Sequence, residues 1–399
     1  MKRDVKNNAL LIVWHTVLLN TMFFVPVLVP YFRDALGVDY QGFMLCQAIF
    51  SGIIILMDVP TGLLADIWTR RTTMIVGTAL YAAGEVLLLV VHGFAGAAIA
   101  ESLLGVAVSL LSGAKMALLY DSMAEAGQEE HYRRRQGFVH GSGLYATGAG
   151  ALFGGWLYEW HHMLPVALSA VMAVLATFAA LVIAEPARHK EAVRRHPLAD
   201  MLETMRYALH GHKEVAAVII LSGVAFSITR VIFWAQQPYY MMLGVPTAWF
   251  GVFTGVNFLI AGTGGHWGHK LDEKFNDIQT LLGCLFAAFM VCLLGGLLAN
   301  KAGVTLIIAG GAIYGVGWAR TLTAINHMVD SGRRATILST ANFMLSVFSI
   351  PLLALSGAVE ARHGIAASLL SLTAVAAAGG VITLFLLRAK RTAAAPHIP

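Results

Sequence analysis

The chain has 399 residues; 58% are hydrophobic and 12% charged, with a mean hydropathy of +0.71 and a formal net charge of +5. Ordinary soluble domains carry roughly twice that charged share, so a soluble enzyme, a disordered chain and a fibrous protein are excluded, and lipid is the solvent the surface must meet. At about 20 apolar residues per crossing, the length holds about a dozen membrane-spanning helices.

Apolar runs fall at 9–32, 41–65, 72–92, 97–120, 137–158 and 164–184. After a polar stretch six more follow, at 214–241, 248–267, 278–298, 304–326, 336–359 and 365–387. Each predicts a transmembrane helix. The first run is too long for the apolar core of a cleavable signal and lacks a small-residue cleavage site, so it is expected to stay as a span. The even total puts both termini on one side. Residues 1–184 are thus expected to form one six-helix bundle and 214–388 a second, with a tail at 389–399. The connector 185–213 reads as a linker containing a short amphipathic helix that lies along the membrane surface. Its His189, His196, His210 and His212 have no acidic or Cys companions, so a solvated linker is the reading and a metal site is not.

Of the 27 Lys and Arg residues, 21 lie at the N-terminus, in the even-numbered loops or in the C-terminal tail, and Arg33, Lys301 and Arg362 lie in odd loops. By the positive-inside rule both termini are cytoplasmic, in an inner membrane. The basic balance is therefore a topology signal, and no nucleic-acid partner is needed to explain it. Cys46, Cys284 and Cys292 sit inside apolar runs without C-x-x-C spacing, which suggests neither a disulfide framework nor zinc. No metal and no cofactor is expected, and the chain is expected to act as a monomer.

The six-plus-six division is accompanied by an internal repeat. Pro30-Tyr31-Phe32 followed by Leu36-Gly37-Val38 matches Pro238-Tyr239-Tyr240 followed by Leu243-Gly244-Val245, an offset of 208 residues. Lys115 stands six residues before Asp121, and Arg320 six before Asn326, an offset of 205. Near-equal offsets from two separate matches indicate duplication.

The loop between spans 2 and 3 reads Asp58-Val-Pro-Thr-Gly62-Leu-Leu-Ala-Asp66-Ile-Trp-Thr-Arg70-Arg71. It resembles the signature loop of the major facilitator superfamily, Gly-x-x-x-Asp-(Arg)-x-Gly-Arg-Lys/Arg. Ile67 stands where Arg is common and Thr69 where Gly is common, and the matching loop around Gly265 and Lys270 is degenerate. The resemblance implies an all-α fold of twelve transmembrane helices in two pseudo-symmetric six-helix bundles, working as a secondary transporter by alternating access. It also implies that Gly62, Asp66, Arg70 and Arg71 latch the cytoplasmic side, with Asp121 and Arg134 or Arg135 as partners. Gly150-Ala-Leu-Phe-Gly154-Gly155 in span 5 resembles the Gly-Pro-x-x-Gly-Gly of antiporters in that superfamily, with Ala151 in place of Pro, and tilts the direction toward export.

An ionisable group at bilayer depth is costly unless paired or hydrated, so each is a functional candidate. Six qualify: Asp58, Glu85, Glu101, Lys115, Arg230 and Arg320. The resemblance makes spans 1, 4, 7 and 10 the cavity lining, which brings Lys115, Arg230, Arg320 and Glu101 toward the substrate. Surplus positive charge suits a small anionic substrate, since Arg grips carboxylate or phosphate bidentately. Asn20, Tyr31, Trp234, Gln237, Tyr239, Asn257, Trp318 and Asn342 complete the candidate lining. A carboxyl group's protonation answers to burial and to nearby charge, so Glu101 first, then Glu85 and Asp58, are the candidates for proton coupling. The function expected is proton-coupled export of a small organic anion such as a carboxylate metabolite or siderophore. Multidrug efflux, proton-coupled uptake and a non-transporting sensor are the alternatives. No nucleophile–base pair marks an enzyme, and no G-x-x-x-x-G-K-[ST] loop marks an ATP-driven pump.

Overall fold

The computed structural model describes residues 5–187, 213–271, 274–328 and 331–393. The amphipathic helix expected within 185–213 and the tail beyond 393 lie outside them. The described residues form helices alone: α1 Asn8–Asn20, α2 Leu28–Asp34, α3 Tyr40–Ile67, α4 Arg70–Leu88, α5 Gly93–Glu125, α6 Tyr132–Trp160, α7 Leu164–Val182, α8 Lys213–Met242, α9 Ala248–Trp267, α10 Asp277–Leu298, α11 Lys301–Ala309, α12 Gly311–Met328 and α13 Ser331–Ala393.

These reproduce the expected spans, with two of them interrupted and two run together. Span 1 is α1 and α2 joined through a non-helical stretch and a single turn at Val25–Val27. Span 10 is α11 and α12, parted at Gly310. Spans 11 and 12 together make up α13, where Gly364 (φ 80°) turns the chain with almost no loop.

Local chemistry sets the boundaries. Asp39 caps α3 by accepting from the Gly42 N–H, and Asn276 with Gln279 forms a reciprocal capping box on α10. Thr69, which stands where the family signature carries Gly, has extended backbone (φ −89°, ψ 150°), and its hydroxyl caps α4 by accepting from the Thr72 N–H. That turn therefore needs no left-handed residue, and a Ser/Thr-type cap is the better choice for it. Gly37 and Gly244, the glycines of the internal repeat, both do adopt left-handed backbone, φ 70° and 66°, which is why the repeat preserves them.

The chain divides into two compact units, Met1–Val193 with Val245–Val256, and Arg194–Gly244 with Asn257–Pro399. In the N-terminal unit α4 packs on α5 and α7, α3 on α5, and α1 on α6 and α7. Span 1's break is accommodated by α6. A Cβ on Gly154 would lie 2.0 Å from the Phe23 carbonyl oxygen, and one on Gly155 would lie 2.4 Å from the Thr247 carbonyl oxygen. The glycine run of span 5 thus has a local cause, close backbone approach on two sides. In the C-terminal unit α8 is the central helix, packed against α13, α10 and α12.

Candidate functional site

The basic end of the N-terminal unit is tied together by side chains the signature loop supplies. The Arg70 and Arg71 backbone N–H groups at the start of α4 donate to the two oxygens of Glu185, at 3.2 and 2.8 Å. This carboxylate satisfies donors that a helix start leaves open and opposes the positive end of its dipole. Arg71 in turn donates from Nε to the Ile183 carbonyl (2.6 Å) and from Nη2 to that of Leu181 (2.9 Å), closing the end of α7. Arg70 donates to the Ala117 carbonyl (2.8 Å) and forms an ion pair with Asp121. Of the expected latch, the structure brings Arg70 and Asp121 together. The surroundings of Gly62 and the side chains of Asp58 and Asp66 lie outside what the structure describes. Arg134 and Arg135 line a cavity of about 650 Å³ with Met123, Gln128, His131 and Phe138. Glu185 was not singled out from the sequence; its only signal was an acid placed directly after span 6.

Inside the same unit two polar groups stand at different depths. Toward the end of the bundle away from Arg70, the Gln47 amide donates to Glu101 Oε1 at 3.0 Å, linking α3 to α5. Glu85 lies against the Tyr81 hydroxyl, and its Oε2 has no hydrogen-bond partner among the described residues. Both acids are buried, with 1% of Glu85 and 3% of Glu101 exposed. Nearer the basic end, His15 of α1 is wholly buried, with Nε2 2.8 Å from Thr78 Oγ1. The charge of Lys115 acts on His15 and on His140 of α6. In the sequence His15 is a lone histidine in an apolar run, with nothing beside it to mark a role. Asn20 and Tyr31, expected at the substrate, make fold-closing bonds instead: Asn20 Nδ2 donates to the Thr16 carbonyl (2.8 Å) and the Tyr31 hydroxyl to that of Leu88 (2.9 Å).

In the C-terminal unit Arg230 of α8 lies where its charge acts on Tyr314 of α12. Tyr314 is exposed and stacks on Trp318 (6.4 Å between centroids, 6° between planes), and Phe226 meets both edge-on. A guanidinium beside an aromatic wall is a surface on which a flat anion can lie. Tyr314 is the residue sequence reading omitted here; it sits one turn from Trp318, on the same face. Arg320, expected beside the substrate, is 7% exposed and donates to Asp277 Oδ1 at 2.9 Å and to the Gly268 carbonyl at 3.5 Å. Tyr239 is wholly buried and donates to the Gly295 carbonyl (2.9 Å), and Asn257 donates to that of Ile308 (2.9 Å). Gln237 is buried, Trp234 half-buried, and Asn342 exposed on α13.

A family model described as the Major Facilitator Superfamily matches residues 10–351. No curated protein matches the sequence. Among solved structures the chain is similar to the nucleoside transporter NupG, with a TM-score of 0.75 and 12% identity over 96% of this chain and 98% of that one. It is also similar to the POT family transporter PepTSo (TM-score 0.75, 9% identity, 97% and 98% covered) and to a D-xylose-proton symporter (TM-score 0.73, 13% identity, 95% and 96% covered). At these identities the likeness is one of fold.

Proposed function

The chain belongs to the major facilitator superfamily, and from that membership we propose that it carries a small organic anion across an inner membrane by proton-coupled alternating access, as a monomer with both termini cytoplasmic. The feature that supports the anion is Arg230 of α8, whose charge reaches Tyr314 of α12, a ring stacked on Trp318. An aromatic or otherwise planar carboxylate would meet charge and ring face there together, and a lipophilic cation would be repelled. Lys115 supplies a second cation in the N-terminal unit. Arg320 is assigned a structural role by its bond to Asp277, which revises the anion-binding part given to it on sequence grounds. Glu101, held by Gln47, is the first candidate for proton coupling. The proton is a coupling ion this fold accommodates, as the name of the D-xylose-proton symporter attests for that protein.

Export is the first reading of direction, from the antiporter-like glycines of span 5. Uptake by symport is the second; the packing cause found for Gly154 and Gly155 accounts for those glycines without reference to direction.

The test is transport in liposomes reconstituted with the purified protein under an imposed pH gradient, with benzoate and succinate as probe anions and a lipophilic cationic dye as the contrast. Gradient-driven movement of an anion is expected. Arg230→Gln should reduce it at least tenfold, and Glu101→Gln should abolish its dependence on the gradient. Unchanged anion transport by Arg230→Gln would overturn the anion site, and movement of the dye alone would replace it with multidrug efflux. The sign of the gradient that drives accumulation assigns the direction.

A further inference from the structure

Four helices of the N-terminal unit place polar side chains at one depth. Asn8 at the start of α1 is fixed to α5, donating to Ser122 Oγ at 2.8 Å. The two helices run in opposite directions, so seven residues along α1 from Asn8 and seven back along α5 from Ser122 reach His15 and Lys115 at the same level, about 10 Å in from the basic end. Thr78 is eight residues into α4, whose first residue, Arg70, pairs with Asp121 beside Ser122. His140 is eight residues into α6.

The hydrogen bonds determine where protons can go. The Thr78 hydroxyl has one proton and donates it to the Met74 carbonyl at 2.7 Å. It therefore accepts from His15 at 2.8 Å, and Nε2 carries a hydrogen in either charge state of the ring. The site of proton gain and loss is Nδ1, which is buried and has no partner among the described residues; the adjacent Thr16 hydroxyl is likewise buried and without one. A buried imidazole with an open acceptor is an unusual element of a packed helix bundle. At the level of His15 the elements around it offer Lys115 from α5 and His140 from α6, with Tyr81 of α4 one turn beyond Thr78; Lys6, Asp121, Glu125, Arg134 and Arg135 lie toward the basic end, Glu85, Glu101 and Glu159 toward the other, and α7 carries no titratable side chain.

We propose that His15 Nδ1 is a proton-binding site linked to Lys115, so that an anion held by Lys115 and a proton on His15 bind together. Two positive charges at one level of the bundle oppose one another, and an anion held there lessens the opposition. The anion half of the linkage rests on the function proposed above, in its symport reading; the His15–Lys115 linkage does not. The site is separate from Glu101, which lies fourteen residues from Lys115 along α5, about 21 Å.

The test uses ¹⁵N-histidine-labelled full-length protein in lipid nanodiscs, with the His15 ring signals assigned from their loss in His15→Gln, a change that keeps a donor near the Nε2 position. At high pH the ring should be the Nε2–H tautomer, with Thr78→Val disturbing it. The pH at which Nδ1 gains its proton should move by roughly one unit or more in Lys115→Gln and stay fixed in Glu101→Gln. In a weakly buffered medium, adding benzoate, succinate or inorganic phosphate should draw a proton from solution into the wild type and not into His15→Gln. A His15 titration indifferent to Lys115→Gln overturns the inference, as does an Nδ1–H tautomer. A His15–Lys115 linkage without proton uptake for any anion leaves the proton site standing and overturns the anion reading.

Discussion

Single residues in this protein act mostly by completing the bonding of helix ends. Asn8 shows how. Its Nδ2 donates to Ser122 Oγ and to the Ala184 carbonyl, both at 2.8 Å, and its Oδ1 accepts from the Ala184 N–H at 2.9 Å. One amide thereby joins the start of α1 to the ends of α5 and α7 in a fully buried position. Asn8→Ala removes three bonds and strands a buried N–H and carbonyl, a loss of about 3 kcal/mol at about 1 kcal/mol per bond. Thermal unfolding in detergent should record a lowered midpoint, and Asn8→Asp, which keeps the acceptor but loses both donors, should recover only part of it. An Asn8→Ala midpoint equal to wild type would remove this account. From sequence, Asn8 was only a polar residue at the edge of an apolar run, since its partners lie 114 and 176 residues away.

At the scale of elements, the informative feature is the interrupted first span. Between α1 and α2 the backbone leaves the helix, and the freed groups are taken up by neighbours: the Phe23 N–H donates to Ser169 Oγ (2.9 Å), and the Asn20 carbonyl accepts from Thr147 Oγ1 (3.0 Å). A broken helix in a membrane is tolerated only where protein re-satisfies its backbone in this way. Helix α6 can approach closely enough to do so because position 154 has no side chain. Gly154→Ala should therefore force the break or α6 to shift, at about 1–3 kcal/mol. Gly113→Ala, where a Cβ meets nothing within 4 Å, should be neutral or slightly stabilising through helix propensity. Comparing the two by thermal unfolding separates close packing from a general need for flexible helices. Equal midpoints would favour the latter. Hydropathy located this span but could not see the break, because Thr21–Phe24 is no less apolar than many helical stretches.

Across the whole molecule both units ion-pair the start of their third span to their fourth. In the N-terminal unit the first residue of α4 is Arg70, paired with Asp121 on α5. In the C-terminal unit the first residue of α10 is Asp277, paired with Arg320 on α12. Span 3 pairs with span 4, and span 9 with span 10, but from different places in the repeat: Arg320 stands at the position of Lys115, and Asn326 at that of Asp121. The acidic partner at Asp277 also suits a helix start, where the dipole favours negative charge; Arg70 sits at such a start only because Glu185 covers its N–H groups. Asp277→Asn should destabilise the C-terminal unit, since it removes a carboxylate that pairs with a buried guanidinium. The exchange Asp277→Arg with Arg320→Asp should recover at least half of that loss, read as the thermal midpoint. An exchange no better than the single changes would mean that the two side chains matter separately.

Composition and pattern determined the class of this protein. A charged fraction of 12% excludes water as the surrounding solvent, twelve apolar runs set the number of spans, and basic loops imply a sidedness. These are statements about solvent and period, and both are local properties of a sequence. The signature loop was legible for the same reason, as a run of neighbouring residues, Gly62 to Arg71. Which charges are paired within the fold was decided only by tertiary structure. Arg320 and Arg230 look alike in sequence, single cations in apolar helices. Folding gives the first a carboxylate from α10 and sets the second near Tyr314 and Trp318. His15 passed unnoticed until Thr78 fixed its tautomer and Asn8 fixed its level against Lys115. In a membrane the cost of a charge depends on its partners, and partners come from other helices, far away along the chain.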